Sequence, residues 1–283
     1  MSPQEFLDAL LLERGYSVQK YQTLQTGYYN KPTVFQQASY SRYIIDLVKQ
    51  GESAKFQACM MSGLSLNPCN QFGESVLHMV CRRGDAGLLQ GMMDCGSDLE
   101  IADDYGRTPL HDACWAAEPA FDVVKLLLND RDNVSMFHLQ DTRGSLPLDY
   151  VHKDHWADWI QFLDREIQVY WPVPHAEQSP LLHEAANRRP VPDPVGALTI
   201  ELAAMVANGR LAPEEAAMLK ADHDDVTEAT DSDGDYSDSD MSGSEYSDDD
   251  DDDDDDDEGS EFSEDALLEE EMAGFLLGQE SEA

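Results

Sequence analysis

Apolar residues recur along this chain in short bursts at helical spacing, and the bursts themselves recur. Two of them, ESVLHMVCRRG (74–84) and DAGLLQGMMDCG (85–96), read as a pair of amphipathic helices, each ending on a glycine suited to a left-handed C-cap. Neither is long enough to be stable alone, so each must bury its apolar face against neighbours. The pair is one unit of a periodic pattern. Gly51 to Gly84, Gly63 to Gly96, Asn70 to Asp103, Gly73 to Gly106 and His78 to His111 are all separated by 33 residues. NQFG (70–73) and DDYG (103–106) read as turns between successive units. Stacked helix pairs that share a core are the solution such a pattern predicts.

The residues filling the pattern are similar to the ankyrin repeat. YGRTPLHDAC (105–114) contains the T-P-L-H-x-A signature, FGESVLHMVC (72–81) repeats it with Ser75-Val76 for Thr-Pro, and GLSLNPCN (63–70) and GSDLEIAD (96–103) resemble the family's loop. The resemblance covers about residues 37–171 and implies an all-α solenoid of about four helix-pair repeats with turn loops. The first unit (37–69) lacks T-P-L-H, as a capping repeat does. The second spans 70–102 and the third 103–140. The fourth opens at Asp141 with DTRGSLPLDYVH, and WADWIQFLDR is its second helix. Gly106 to Gly144 is 38 residues, so the third unit holds extra residues near 117–120 and after Leu128, where a solenoid places loops that often bind.

The flanks are of different kinds. Ser2-Pro3-Gln4-Glu5 is a capping box that starts a helix ending near Gly15, whereas 16–36, rich in Tyr, Gln and Thr, gives no periodicity. Residues 172–194 form a Pro-rich linker with a faint half-repeat, LLHEAANRR (181–189). Residues 195–221 read as a helical hairpin, either capping the solenoid or standing alone.

Charge separates the remainder. The 283 residues carry a net charge of -40, and 222–283 contain 29 acidic residues and no Lys or Arg. Such a segment, with its Asp run 248–257, buries too little apolar surface to fold and is expected to be disordered. The stretch 263–278 interrupts it with Leu268, Met272 and Phe275 on one helix face. A polyanion repels nucleic acid and anionic membrane and attracts basic proteins. No apolar run reaches the ~18 residues of a membrane span, and the first residues carry acids where a secretory signal has bases. Five cysteines without a C-x-x-C pair fit reduced thiols, so a cytoplasmic or nuclear, monomeric protein is expected.

Chemistry-bearing residues have plainer readings. His78 and His111 share one repeat position, where the resemblance implies hydrogen bonds between neighbouring units. His152 and His155 supply two ligands where a closed zinc site needs four. DSDGDYSDSD (231–240), aligned as a calcium loop on Gly234, puts Ala229 at position one and Asp240 rather than Glu at position twelve, with no convincing flanking helix. Thr230, Ser232, Ser237, Ser242 and Ser247 each have an acid three residues on, the pattern of acidophilic kinases, although any serine in an acidic run has it. With no nucleotide loop or nucleophile motif, no catalytic activity, cofactor or metal is expected.

The resemblance implies partner binding by the turn tips and the exposed side of each first helix. Those positions are Phe72, Glu74, Met79, Arg82, Arg83, Tyr105, Arg107, Asp112, Trp115, Thr142 and Arg143. Trp115 is either an exposed anchor or a side chain packed under the nearby insertion. The expected function is a non-catalytic protein–protein adaptor. Two alternatives are an acidic chaperone-like protein that sequesters basic clients such as histones, and a regulatory subunit docking through 263–278.

Overall fold

The computed structural model describes residues 1–29, 31–129, 131–172 and 191–230, those of 131–132 and 222–230 by backbone alone. The Asp run, the stretch 263–278, the half-repeat 181–189 and the acidic tail beyond Thr230 lie outside the described residues.

Helix pairs stack along the chain. They are α3 (Arg42–Lys49) with α4 (Ser53–Met61), α5 (Val76–Arg83) with α6 (Ala86–Cys95), and α7 (Pro109–Cys114) with α8 (Phe121–Leu127). In the fourth pair the first helix is reduced to a 3-10 turn, Pro147–Tyr150, followed by α9 (Trp156–Tyr170). Asp149 accepts the Leu146 N–H at 2.8 Å, as His78 and His111 accept the N–H of their own N-cap residues, but Val151 is already extended at ψ 123°, so the fourth helix ends after one turn. Leu77, Val80, Leu89, Leu110, Val124 and Leu163 belong to one core that runs through all four units. Gly84 and Gly96 close α5 and α6 at φ 71° and 96°, a left-handed conformation open to glycine at little cost. The solenoid is all-α, with no closed sheet among the described residues.

Three turns are built alike. Asn70, Asp103 and Asp141 each donate their N–H to the residue four on, at 3.1, 3.0 and 2.9 Å, and accept the N–H of the turn glycine on their carbonyls. Their side chains accept further N–H groups inside the same turn. Successive turns are also bonded to each other, Asp104 N to Phe72 O at 2.9 Å and Thr142 N to Tyr105 O at 2.8 Å.

The two ends are covered crosswise. The N-terminal helix α1 (Pro3–Glu13), started by its Ser2–Glu5 capping box, packs on α9 of the last repeat. Arg14 donates to the Trp171 carbonyl at 2.9 Å and Tyr16 donates to the Pro172 carbonyl. The segment 16–36 then runs back along the row of turns. Strand β1 (Tyr21–Gln22) pairs in parallel with β2 (Leu139–Gln140), Tyr29 bridges to Ala102, and the Gln36 carbonyl accepts the Cys69 N–H. Tyr28 is buried beneath it. The segment ends in α2 (Val34–Ala38), against which α10 (Ile200–Ala207) packs. From the same hairpin, the Leu198 N–H donates to the Gly63 carbonyl at 3.0 Å and Ser41 donates to the Ala207 carbonyl, so 195–221 sits on the first-repeat end. Helix α11 (Pro213–Thr230) continues past residue 221, the boundary that composition suggests.

The larger insertion, expected as a surface loop, is instead internal. Residues Arg131–His138 form a 3-10 segment in which Val134, Met136 and Phe137 are buried, with Tyr28 bonded to Ser135 at 3.2 Å and Phe137 against the Trp171 ring at 5.7 Å.

Gly63 tests the docking of the hairpin. It has φ 104°, and a Cβ there would lie 2.5 Å from the Gly196 carbonyl oxygen. At Gly91, within α6, a Cβ meets only the end of the flexible Gln57 side chain. Gly63→Ala should therefore cost roughly 2 kcal/mol or more and lower the melting temperature by several degrees, while Gly91→Ala stays near neutral. Equal melts for the two variants would show that the hairpin is not held at Gly63.

Candidate functional site

Aligning the units by their turn glycines places the expected binding residues in columns. Phe72, Tyr105 and Arg143 form the column of turn tips, Met79, Asp112 and Tyr150 one column of the first helices, and Arg82 and Trp115 the next.

The tips are open. Phe72 is 38% exposed and Tyr105 is 49% exposed, well above what a core aromatic shows, and the carbonyls of both are engaged by the next turn. Thr142 and Arg143 are exposed at the third tip, where the Arg143 N–H donates to Asp141 at 2.9 Å. Arg107 reaches back to Asp103 at 2.7 Å, and its guanidinium carbon lies 5.5 Å from the Tyr105 ring centroid. Burial works against the charge of Arg107, but Asp112 and Asp103 outweigh it and hold the guanidinium above its ordinary value. Burial also lifts the Asp103 carboxyl above its usual range, with Arg107 opposing.

On the helices the sequence expectation needs one correction. Asp112 is not at the surface. It is buried at 1% exposure, and Arg82 Nε donates to it at 2.6 Å. Burial favours its neutral form, yet Arg82 overrides that and keeps the carboxyl below the ordinary range. Arg82 also donates to Glu74 at 2.8 Å, and Asp112 and Glu74 offset the burial that opposes its charge. Trp115 is half-buried. Arg82 stacks over its ring at 4.6 Å, and Tyr150 lies 6.2 Å away on a tilted plane. Its indole face is thus occupied by a cation from the preceding repeat. Met79 is half-buried, and Arg83 is exposed, donating to the Lys49 carbonyl at 3.1 Å.

Tyr150 belongs to this surface and the buried Asp103 supports it from beneath, but both are absent from the expected set. Tyr150 donates to Asp141 at 2.6 Å and meets His111 edge-on at 5.6 Å. Its place in the Met79–Asp112 column, once the insertion is counted, is the signal that would have found it.

The two histidines occupy matching places. His78 Nδ1 accepts the Ser75 N–H at 3.2 Å, and its Nε2 faces the Arg107 carbonyl at 3.0 Å. His111 Nδ1 accepts the Thr108 N–H at 3.0 Å. Ser145, the repeat counterpart of Arg107, presents its backbone to His111, although His111 Nε2 has no partner within hydrogen-bond geometry. Both rings are fully buried, and burial drives His111 down to about 4 despite Asp112 and Asp141. Cys81 and Cys114, three residues from each His, are buried, which pushes both thiols well above their ordinary value and removes the thiolate a nucleophile needs. His155 bonds the Ala117 carbonyl at 3.1 Å, tying the small insertion of the third repeat to the fourth.

Repeated turns, bridging histidines and a continuous core define a helix-pair solenoid. The family model described as "Ankyrin repeats (3 copies)" matches residues 44–137, so this part of the chain consists of ankyrin repeats. A search of the curated proteins finds no match. Ankyrin repeats are generic protein–protein interaction modules and are generally non-catalytic.

Below pH about 6.5 an unfolded histidine takes up a proton that folded His111 refuses until about 4. The unfolded state therefore binds more protons across this window, and stability falls as pH drops through it, by on the order of 3 kcal/mol for this ring. His138, buried and likewise lowered to about 4, adds to the same trend. Melts between pH 7 and 4.5 should show a shallower decline for His111→Gln than for the unmodified chain. Parallel declines would place the acid sensitivity elsewhere.

Proposed function

We propose that the chain is a protein–protein adaptor that grips its partner with the turn tips and first helices of repeats two to four. The observation that carries this reading is the pair Phe72 and Tyr105. Both are exposed on a backbone held rigid by turn-to-turn hydrogen bonds, beside arginines already fixed by carboxylates. Aromatic and arginine side chains presented with little ordering left to lose are the usual anchors of interfaces. Arg82, Asp112 and Trp115 act here as a support that positions the surface, while Phe72, Tyr105, Thr142 and Arg143 make contact.

Phe72→Ala combined with Tyr105→Ala should reduce capture of a specific partner from extract by about thirtyfold, equivalent to ~2 kcal/mol, with the melting temperature little changed. Unchanged capture by a stably folded double variant would remove the tips from the interface.

Charge favours a second activity for the acidic end of the chain. Ten successive Asp place about one charge per ~3.5 Å of extended chain, inside the ~8 Å Debye length at physiological salt. A basic protein relieves that repulsion without needing a shaped site. Binding to a core histone mixture should require 222–283 and should largely vanish near ~1 M salt, where the screening length is about 3 Å. Histone binding that persists unchanged at that salt would refute an electrostatic mechanism.

A further inference from the structure

A second surface lies at the last-repeat end, away from the turn tips. Helices α1 and α9 run side by side and leave an open groove of about 490 Å3, lined by Phe6, Ala157, Ile160, Asp158, Gln161 and Asp164. The inward faces of both helices are already satisfied, with Leu7, Leu11, Trp159 and Leu163 in the core. Phe6 and Ile160 are therefore half-buried as the floor of a channel, and Leu10 extends the same face of α1 by one turn. The rim is acidic. Asp158 and Asp164 are exposed on α9, and Glu13 is exposed at the end of α1. The nearby arginines are engaged, Arg14 with Gln168 and the Trp171 carbonyl, and Arg165 with Glu166.

We propose that this groove binds an amphipathic helix of a partner protein, one whose apolar stripe is flanked by Lys or Arg. The groove is open along its length, so it encloses no small molecule. Two parallel ridges with an apolar floor are what a third helix lays its stripe into. Apolar burial supplies the affinity, and the rim carboxylates select basic flanks and reject acidic ones. The chain's own amphipathic stretch carries Glu264, Asp265, Glu269, Glu270 and Glu271, the same sign as the rim, and is not the class of ligand that fits. This surface is independent of the turn tips, so Phe72→Ala with Tyr105→Ala leaves it intact.

The test uses the full chain and a synthetic Leu/Lys peptide of about 18 residues that is amphipathic as a helix, with a scrambled peptide of identical composition as the control. The acidic tail attracts both peptides by charge alone, whereas the groove distinguishes them. In fluorescence anisotropy at physiological salt, the amphipathic peptide should bind more tightly than the scramble. Asp158→Lys with Asp164→Lys should remove that advantage, weakening the amphipathic peptide about tenfold without moving the scramble. Ala157→Arg, which adds bulk and charge at an exposed floor position, should act likewise. A photo-crosslinker on the peptide should mark α1 and α9. Equal binding of the two peptides, an advantage that survives the charge reversal, or crosslinks confined to other parts of the chain would each overturn the proposal.

Discussion

The distance between neighbouring repeats is set by a buried contact that recurs with the sequence period. An imidazole is held on one side by the N-cap backbone of its own helix and turned on the other toward the backbone of the next turn. A polar ring at zero exposure is costly unless its nitrogens are served, and the bonds at both nitrogens of His78 hold its helix and the next turn in one register. The Asn70, Asp103 and Asp141 side chains make the turns equally rigid from within. With turn and helix fixed to each other, the turn-to-turn hydrogen bonds follow, and successive tips are tied into a row. The exposed Phe72 and Tyr105 are therefore consequences of a bond made in the interior.

A solenoid of four units leaves two apolar ends, and here each end is covered by the opposite terminus. Leu7 and Leu11 cover the fourth repeat, and Ala203, Val206 and Ala207 belong to the hairpin set on the first. The segment between α1 and α2 spans the whole row of turns to make this possible. Stability in repeat proteins is ordinarily close to a sum of nearest-neighbour terms, so ends can fray independently. A strap that bonds to three turns in succession couples units that are not neighbours, and the ends lose that independence.

What the sequence disclosed follows the same division. The helix pairs and the equivalence of His78 with His111 were legible because a repeat writes the same physical requirement several times at one interval. The strap was not, since Tyr21, Tyr29 and Gln36 satisfy backbone groups of distant turns and so impose no period on their own segment. The place of Asp112 was hidden for a related reason. A carboxylate on the outward side of a short helix reads as solvated until Arg82, 30 residues earlier, is seen to fold over it. The shortened first helix of the fourth unit was not legible, since Asp149 caps Leu146 just as His78 and His111 cap their own N-cap residues. The internal position of the larger insertion involves Tyr28, 107 residues upstream of its partner Ser135, which no local pattern reports.

The crosswise capping has a consequence for how the chain is made. Arg14 and its bonding partner Trp171 are 157 residues apart. At about 5–20 residues per second, a ribosome takes roughly 8–30 s to deliver the second after the first. Throughout that interval α1 is outside with Leu7 and Leu11 and has no surface to cover. Local helix pairs form in far less time, so the repeats can be complete while both ends are still bare. The last event in folding is then a closing of both ends, and nascent-chain binding factors have their longest access to the residues that seal the molecule.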